Sequence, residues 1–321
     1  MKKLFLSVLA SATILLSFAQ QNHQFSITWS KGLAGGSKPT TTPIDKSDAV
    51  SNSQANDLVK YFLESSKLDF KCIYNGCQNR AMVMSLLLKQ KGIKHYKIWN
   101  FDPFKISLFN AQDALDVDDV LKLKTNRIVW DFHVAIAILV KNTNNTNIDT
   151  LVIDPSFSDK PIKVSDWLSF QHSPNSYYTF LDPQWYNFVT LQSDTKYWCK
   201  DFNTGITDTV LLKLPKCFPM ILTGDFYYYD NSNQKIIAEE LATNDQISKI
   251  ANEIINKLPS TDPSRQQLIS IISDNFIAFQ NILKGMTPVN EVNPFYNYVN
   301  EYKAAYANSV DYWTKQLQAL N

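Results

Sequence analysis

The spacing of apolar residues changes several times along the chain, and each change predicts an element. Leu58, Tyr61, Phe62 and Leu68 follow helical spacing, so a first helix is expected from about Ser53 or Asn56. A second apolar helix is expected from Cys77 to about Lys91, with Gly92 as its stop. Ile93 to Phe101 alternates imperfectly and predicts a strand. Residues 102–127 form a polar excursion with a short helix expected around Asp113 to Leu123. Ile128 to Val140 is rich in Ile, Val and aromatic residues and predicts a strand. The Asn- and Thr-rich tip Asn142 to Asn147 predicts a turn. Thr150 to Asp154, closed by Pro155, predicts the next strand, and a hairpin is the simplest connection. Trp167 and the run after it are expected to cover this sheet. Short strands and Pro-bearing turns are expected over 181–229.

The pattern shifts at about residue 230. Lys235 to Leu258, Pro263 to Gly285 and Asn293 to Leu320 each carry apolar residues at helical spacing, predicting a small bundle or a helical cap. The whole reads as an α+β chain. Its expected division is a signal peptide at 1–19, a polar arm at 20–54, a catalytic domain at 55–229 and a helical domain at 230–321.

The first nineteen residues change the picture of location. Lys2 and Lys3 precede an apolar run from Leu4 to Leu16, and Ser17-Phe18-Ala19 supplies the small residues of a cleavage site. The run is short for a membrane span, so a cleaved signal and a secreted or periplasmic protein without a stable membrane anchor are expected. The formal net charge of +1, with Lys and Arg scattered, argues against nucleic acid as a partner. Cys72, Cys77, Cys199 and Cys217 show no metal-ligand spacing, and no metal or cofactor is expected. Cys199 with Cys217 is the pairing favoured for a disulfide, out of three possible connectivities.

Candidate chemistry begins at Asn75-Gly76-Cys77. Asn75 is expected to cap the helix, Gly76 to make the turn, and Cys77 to lie in the first turn. Free N–H groups and the positive end of the helix dipole favour a thiolate there, and can also hold an oxyanion. A lone cysteine is more often a buried structural thiol. A nucleophilic one needs a base, and the base needs a group to orient it. Of the histidines at 23, 95, 133 and 172, only His133 lies in a strongly apolar strand. The hairpin brings it beside Asp154. The candidate catalytic residues are therefore Cys77, His133 and Asp154.

Three blocks carry a resemblance: Gly76-Cys77-x-x-Arg80-Ala81, Trp130-x-x-His133-Val134-Ala135 and Val152-Ile153-Asp154-Pro155-Ser156. Together they resemble the catalytic core of the bacterial protein-glutaminase family over roughly residues 55–190. The resemblance implies a papain- and transglutaminase-like core in which a nucleophile helix packs on an antiparallel sheet. It implies Cys77 as nucleophile, His133 as base and Asp154 as orienting acid. The implied activity is deamidation of glutamine side chains in proteins or peptides, through a thioester, with release of ammonia. Gln78 and Met82 depart from the family pattern, which has an aromatic residue and a histidine at those places. The same triad also fits a transglutaminase-like acyltransferase or a cysteine peptidase. A different class, a binding module with an idle triad and a working helical tail, is disfavoured by the intact Cys77, His133 and Asp154.

Overall fold

A computed structural model describes residues 26–29, 41–101, 115–123, 128–130, 132–142, 147–172, 176–190, 221–273 and 275–321. The signal segment, His23, the cysteines at 199 and 217, and the tip at 143–146 lie outside these residues. The fold is α+β. Its contacts divide it into two units.

One unit comprises residues 1–38, 104–112 and 188–226. In it, β1 (Ser26–Trp29) pairs in parallel with the strand that begins at Ile221.

The other unit comprises residues 39–103, 113–187 and 227–321. Its central sheet contains β2 (Val50–Ser51), β3 (Tyr96–Phe101), β6 (Phe132–Lys141), β7 (Ile148–Ile153), β8 (Ile162–Lys163) and β9 (Tyr177–Leu181). The order is β8-β7-β6-β3-β9, with β2 added alongside β6. The β6–β7 pair is antiparallel, with Ile136 opposite Ile153 and Lys141 opposite Ile148, as the hairpin reading requires. The arm joins this sheet at its end: Val50 is buried, and the Thr42 N–H donates to Asp182 at 2.6 Å.

The strand expected over 128–140 is two strands. β5 (Ile128–Trp130) pairs with β4 (Leu115–Val117) in a separate antiparallel ribbon, whereas β6 enters the central sheet. This corrects the helix expected around Asp113 to Leu123. Leu115 and Val117 alternate with period two, and both are buried against Trp130 and Ile128.

Both faces of β6 are covered, which explains its continuous apolar run. Ala135 and Ala137 pack with Ile98, Val152, Ile162 and Trp167. Ile136, Ile138 and Val140 face the main core. That core takes in α1 (Asn52–Glu64) and α2 (Cys77–Gln90). It also takes in the C-terminal helices α4 (Asn233–Glu253), α5 (Pro263–Ser273), α6 (Phe276–Leu283) and α7 (Val299–Leu320). Between the two groups in sequence comes the short α3 (Val164–Ser169), which carries Trp167 and packs on the other face of the sheet. Helix α2 is buried on nearly every side because β6, α4 and α7 all pack on it. The composition change near 230 thus marks the start of helices that share the core of α2. No helix among the described residues is long and apolar enough to cross a membrane.

Candidate active site

The turn into α2 is built by Gly76. Its φ of +84° lies in the left-handed region, which costs glycine little. Gly76, not Asn75, is the N-cap: Asn75 turns its side-chain oxygen back to the Gly76 N–H, at 2.7 Å. The Asn75 carbonyl accepts from Arg80 Nη1 at 3.2 Å, and the Cys72 carbonyl accepts from the same atom at 2.8 Å. Cys77 is the first helical residue. It is half-buried and not disulfide-bonded.

His133 and Asp154 sit where the hairpin opens. His133 Nε2–H donates to Asp154 Oδ2 at 2.6 Å, with both groups buried. The indole N–H of Trp167 donates to the same oxygen at 2.8 Å, and the Ser156 N–H donates to Oδ1 at 3.1 Å. Trp130 stacks on the imidazole with ring centres 4.4 Å apart, and Trp167 covers it at 5.6 Å. Trp130 is held in turn by its N–H bond to the Ile73 carbonyl at 2.9 Å.

Electrostatics follow from this packing. Burial opposes a charge on His133, but Asp154 and then Cys77 outweigh it and push the imidazole up to about 9. Burial also works against the Asp154 carboxylate, yet His133, Trp167 and Ser156 together hold it below its ordinary value. Among the described residues the remaining His133 nitrogen, Nδ1, has no partner within strict hydrogen-bond geometry, while a looser side-chain interaction with Cys77 is one of the causes that raise the imidazole. A small crevice is lined by Cys77, His133, Asp154 and Ser156, so Cys77 and His133 border one space. On its other side Cys77 opens to a cleft of about 310 Å³ lined by Ile73, Tyr74, Asn75, Gln78, Trp130, Phe132 and Asn187. The structure therefore groups all three sequence candidates, with the thiol between the crevice and the cleft.

The other thiols and imidazoles differ. Cys72 is fully buried, and burial pushes its thiol well above the ordinary range. His95 bonds Ser85 Oγ and the Ile93 carbonyl, and burial pulls it down to about 4. His172 lies outside this group.

Sequence reasoning did not single out Trp130 as a ring against His133, nor Trp167 as a donor to Asp154. The spacing Trp130-x-x-His133 was the available signal for the first. No local pattern announces the second. Among the described residues no group of His, Cys, Asp and Glu is arranged to hold a metal ion.

An α+β protein with a thiol, an imidazole and a carboxylate gathered at one helix start invites comparison with cysteine hydrolases. Residues 48–171 match the model of a glutamine-deamidase family described as glutaminase. This match over residues 48–171 agrees with the resemblance read from the sequence and supports a glutaminase-like, glutamine-deamidating hydrolase. Two solved structures are similar at a lower level. The NMR structure of protein-glutaminase from Chryseobacterium proteolyticum is 16% identical, with a TM-score of 0.40, covering 67% of this chain and 94% of that one. A crystal structure of pro-protein-glutaminase is 17% identical, with a TM-score of 0.41, covering 67% of this chain and 64% of that one. No curated protein matches the chain significantly.

Proposed function

We propose that this chain is a secreted cysteine amidohydrolase that converts glutamine side chains of proteins or peptides to glutamate, using Cys77, His133 and Asp154 within a papain- and transglutaminase-like core. The observation that carries the reading is the His133 geometry. One ring nitrogen is committed to Asp154, and the other has no strict hydrogen-bond partner among the described residues, with Cys77 lining the same crevice and interacting with the ring. That is the orientation a general base needs when a carboxylate fixes it from behind.

The chemistry follows in two steps. The Cys77 thiolate, paired with the His133 imidazolium, adds to the carboxamide carbon. Free backbone N–H groups at the start of α2 donate to the developing oxyanion. His133 gives its proton to the departing nitrogen, so the C–N bond breaks and ammonia leaves a Cys77 thioester. His133, now neutral, takes a proton from water, whose oxygen attacks the thioester. The C–S bond breaks, glutamate forms and the thiolate–imidazolium pair returns. The cleft beside Cys77 is lined by aromatic and uncharged polar side chains, which suits a neutral carboxamide better than a charged side chain. Cys77 being half-buried leaves it open to that cleft.

The test is incubation with a glutamine-bearing protein, with and without an added primary amine, followed by ammonia measurement and intact mass. Ammonia with the mass change of amide-to-acid exchange supports hydrolysis. Amine adducts or main-chain fragments would replace it with the acyltransferase or peptidase reading.

A further inference from the structure

The family match ends at residue 171, yet the turn that carries Cys77 is held from far beyond that point. Helix α4 presents Glu240 and Asn244 four residues apart, hence on one face, and both reach the start of α2. Asn244 Nδ2 donates to the Asn75 carbonyl at 3.0 Å, just before the nucleophile. Glu240 Oε2 accepts from Asn79 Nδ2 at 2.5 Å and from Gln78 Nε2 at 3.5 Å, just after it.

The other groups at this junction are equally fixed. Asn79 is fully buried, and its side-chain oxygen accepts from the Tyr186 hydroxyl at 2.6 Å. Gln78 turns its oxygen toward the Cys77 thiol, which donates at 3.5 Å. Asn244 is buried so closely against Gly76 that a Cβ there would meet its Nδ2 at 2.6 Å. The helix is tied down by Lys284, which pairs with Glu239 at 2.6 Å.

We propose that Glu240 and Asn244 of the C-terminal helices are positioning residues for Cys77, clamping its turn from both sides so that the thiol faces His133 and the cleft. A clamp that grips the backbone before the nucleophile and two side chains after it sets the direction of the thiol, not merely the packing of a helix. The C-terminal helices thereby act on Cys77 through its neighbours Asn75, Gln78 and Asn79. This inference rests on Cys77 being the nucleophile of the proposed reaction.

Glu240→Ala, Glu240→Gln and Asn244→Ala in the full chain test it. Two readouts are taken on variants whose melting temperatures match the parent: glutamine deamidation, and iodoacetamide labelling of the Cys77 peptide by mass spectrometry. Both alanine variants are expected to lower kcat roughly 10- to 100-fold with KM nearly unchanged, and to alter the rate of Cys77 labelling. Glu240→Gln keeps an acceptor for Asn79 and is expected to restore most of both. Two positions are used so that a fold defect in one variant leaves the other to decide. Parent-like kcat and labelling in a folded alanine variant would overturn the clamp. Altered labelling in a chain that does not deamidate would keep the clamp and discard the proposed reaction.

Discussion

Trp167 and Asp154 are joined by an indole N–H bond of 2.8 Å to the very oxygen that holds the His133 ring. The carboxylate is thus fixed by a residue whose helix packs over the far side of the sheet from α2. Trp167→Phe removes that donor while keeping an aromatic ring. A hydrogen bond to a charged group contributes about 1.5–3 kcal/mol, so a stability loss of that order is expected in denaturant unfolding. A fall in kcat, without a matching rise in KM, is expected alongside it because Asp154 is freer to turn.

The triad residues should differ in their cost. His133→Ala removes the imidazole proposed to take the thiol proton, and a kcat loss on the order of 10⁴-fold or more is expected. Asp154→Ala leaves the base present but poorly held, and its loss is expected to be the smaller of the two. Steady-state rates of ammonia release compare them.

His133 also sets a pH limit. Its pKa is raised to about 9, so a charged imidazole persists through neutral pH and is lost as pH rises through about 9. Turnover is expected to fall over that alkaline range. Stability follows the same sign: an imidazole raised in the folded state contributes fully below its unfolded value of about 6.5 and loses that contribution as pH rises. Asp154 is held low, so its contribution is present above its unfolded value near 3.9 and is lost on acidification. The melting-temperature gap between the parent and His133→Ala, followed against pH, is expected to shrink in the alkaline range.

Much of this arrangement was legible in the sequence. The β6–β7 hairpin shows in its run of Ile, Val and Ala, and in the Asn-rich tip that reverses the chain. The end of α2 shows in Gly92, whose φ of +69° only glycine adopts readily. Other features were hidden for physical reasons. The helix expected around Asp113 to Leu123 rested on apolar residues that also fit a two-residue period, and Leu115 and Val117 use that period to pair with β5. The single strand expected over 128–140 divides because Trp130 and Phe132 belong to different sheets, and residue spacing alone does not reveal such a division. The contacts of Glu240 and Asn244 with residues 75–79 join segments more than a hundred and sixty residues apart in sequence for Asn79 and Glu240. No local periodicity encodes a pairing of that kind.

Gly76 carries a sharper expectation. Gly76→Ala places an L residue at φ +84° and drives its Cβ toward Asn244. The left-handed conformation alone costs roughly 1–2 kcal/mol, and the close contact adds to it. A lowered melting temperature and reduced Cys77 labelling are expected together, since the turn that strains is the one that presents the thiol.

The central claim is that Cys77 is the nucleophile, and ammonia release from a glutamine-bearing protein by the parent and by Cys77→Ala tests it most directly. Cys72→Ala serves as the control, because that thiol is buried in the core and burial keeps it protonated. The account predicts ammonia from the parent and from a folded Cys72→Ala, and none above background from Cys77→Ala. Ammonia released at the parent rate by Cys77→Ala would contradict it.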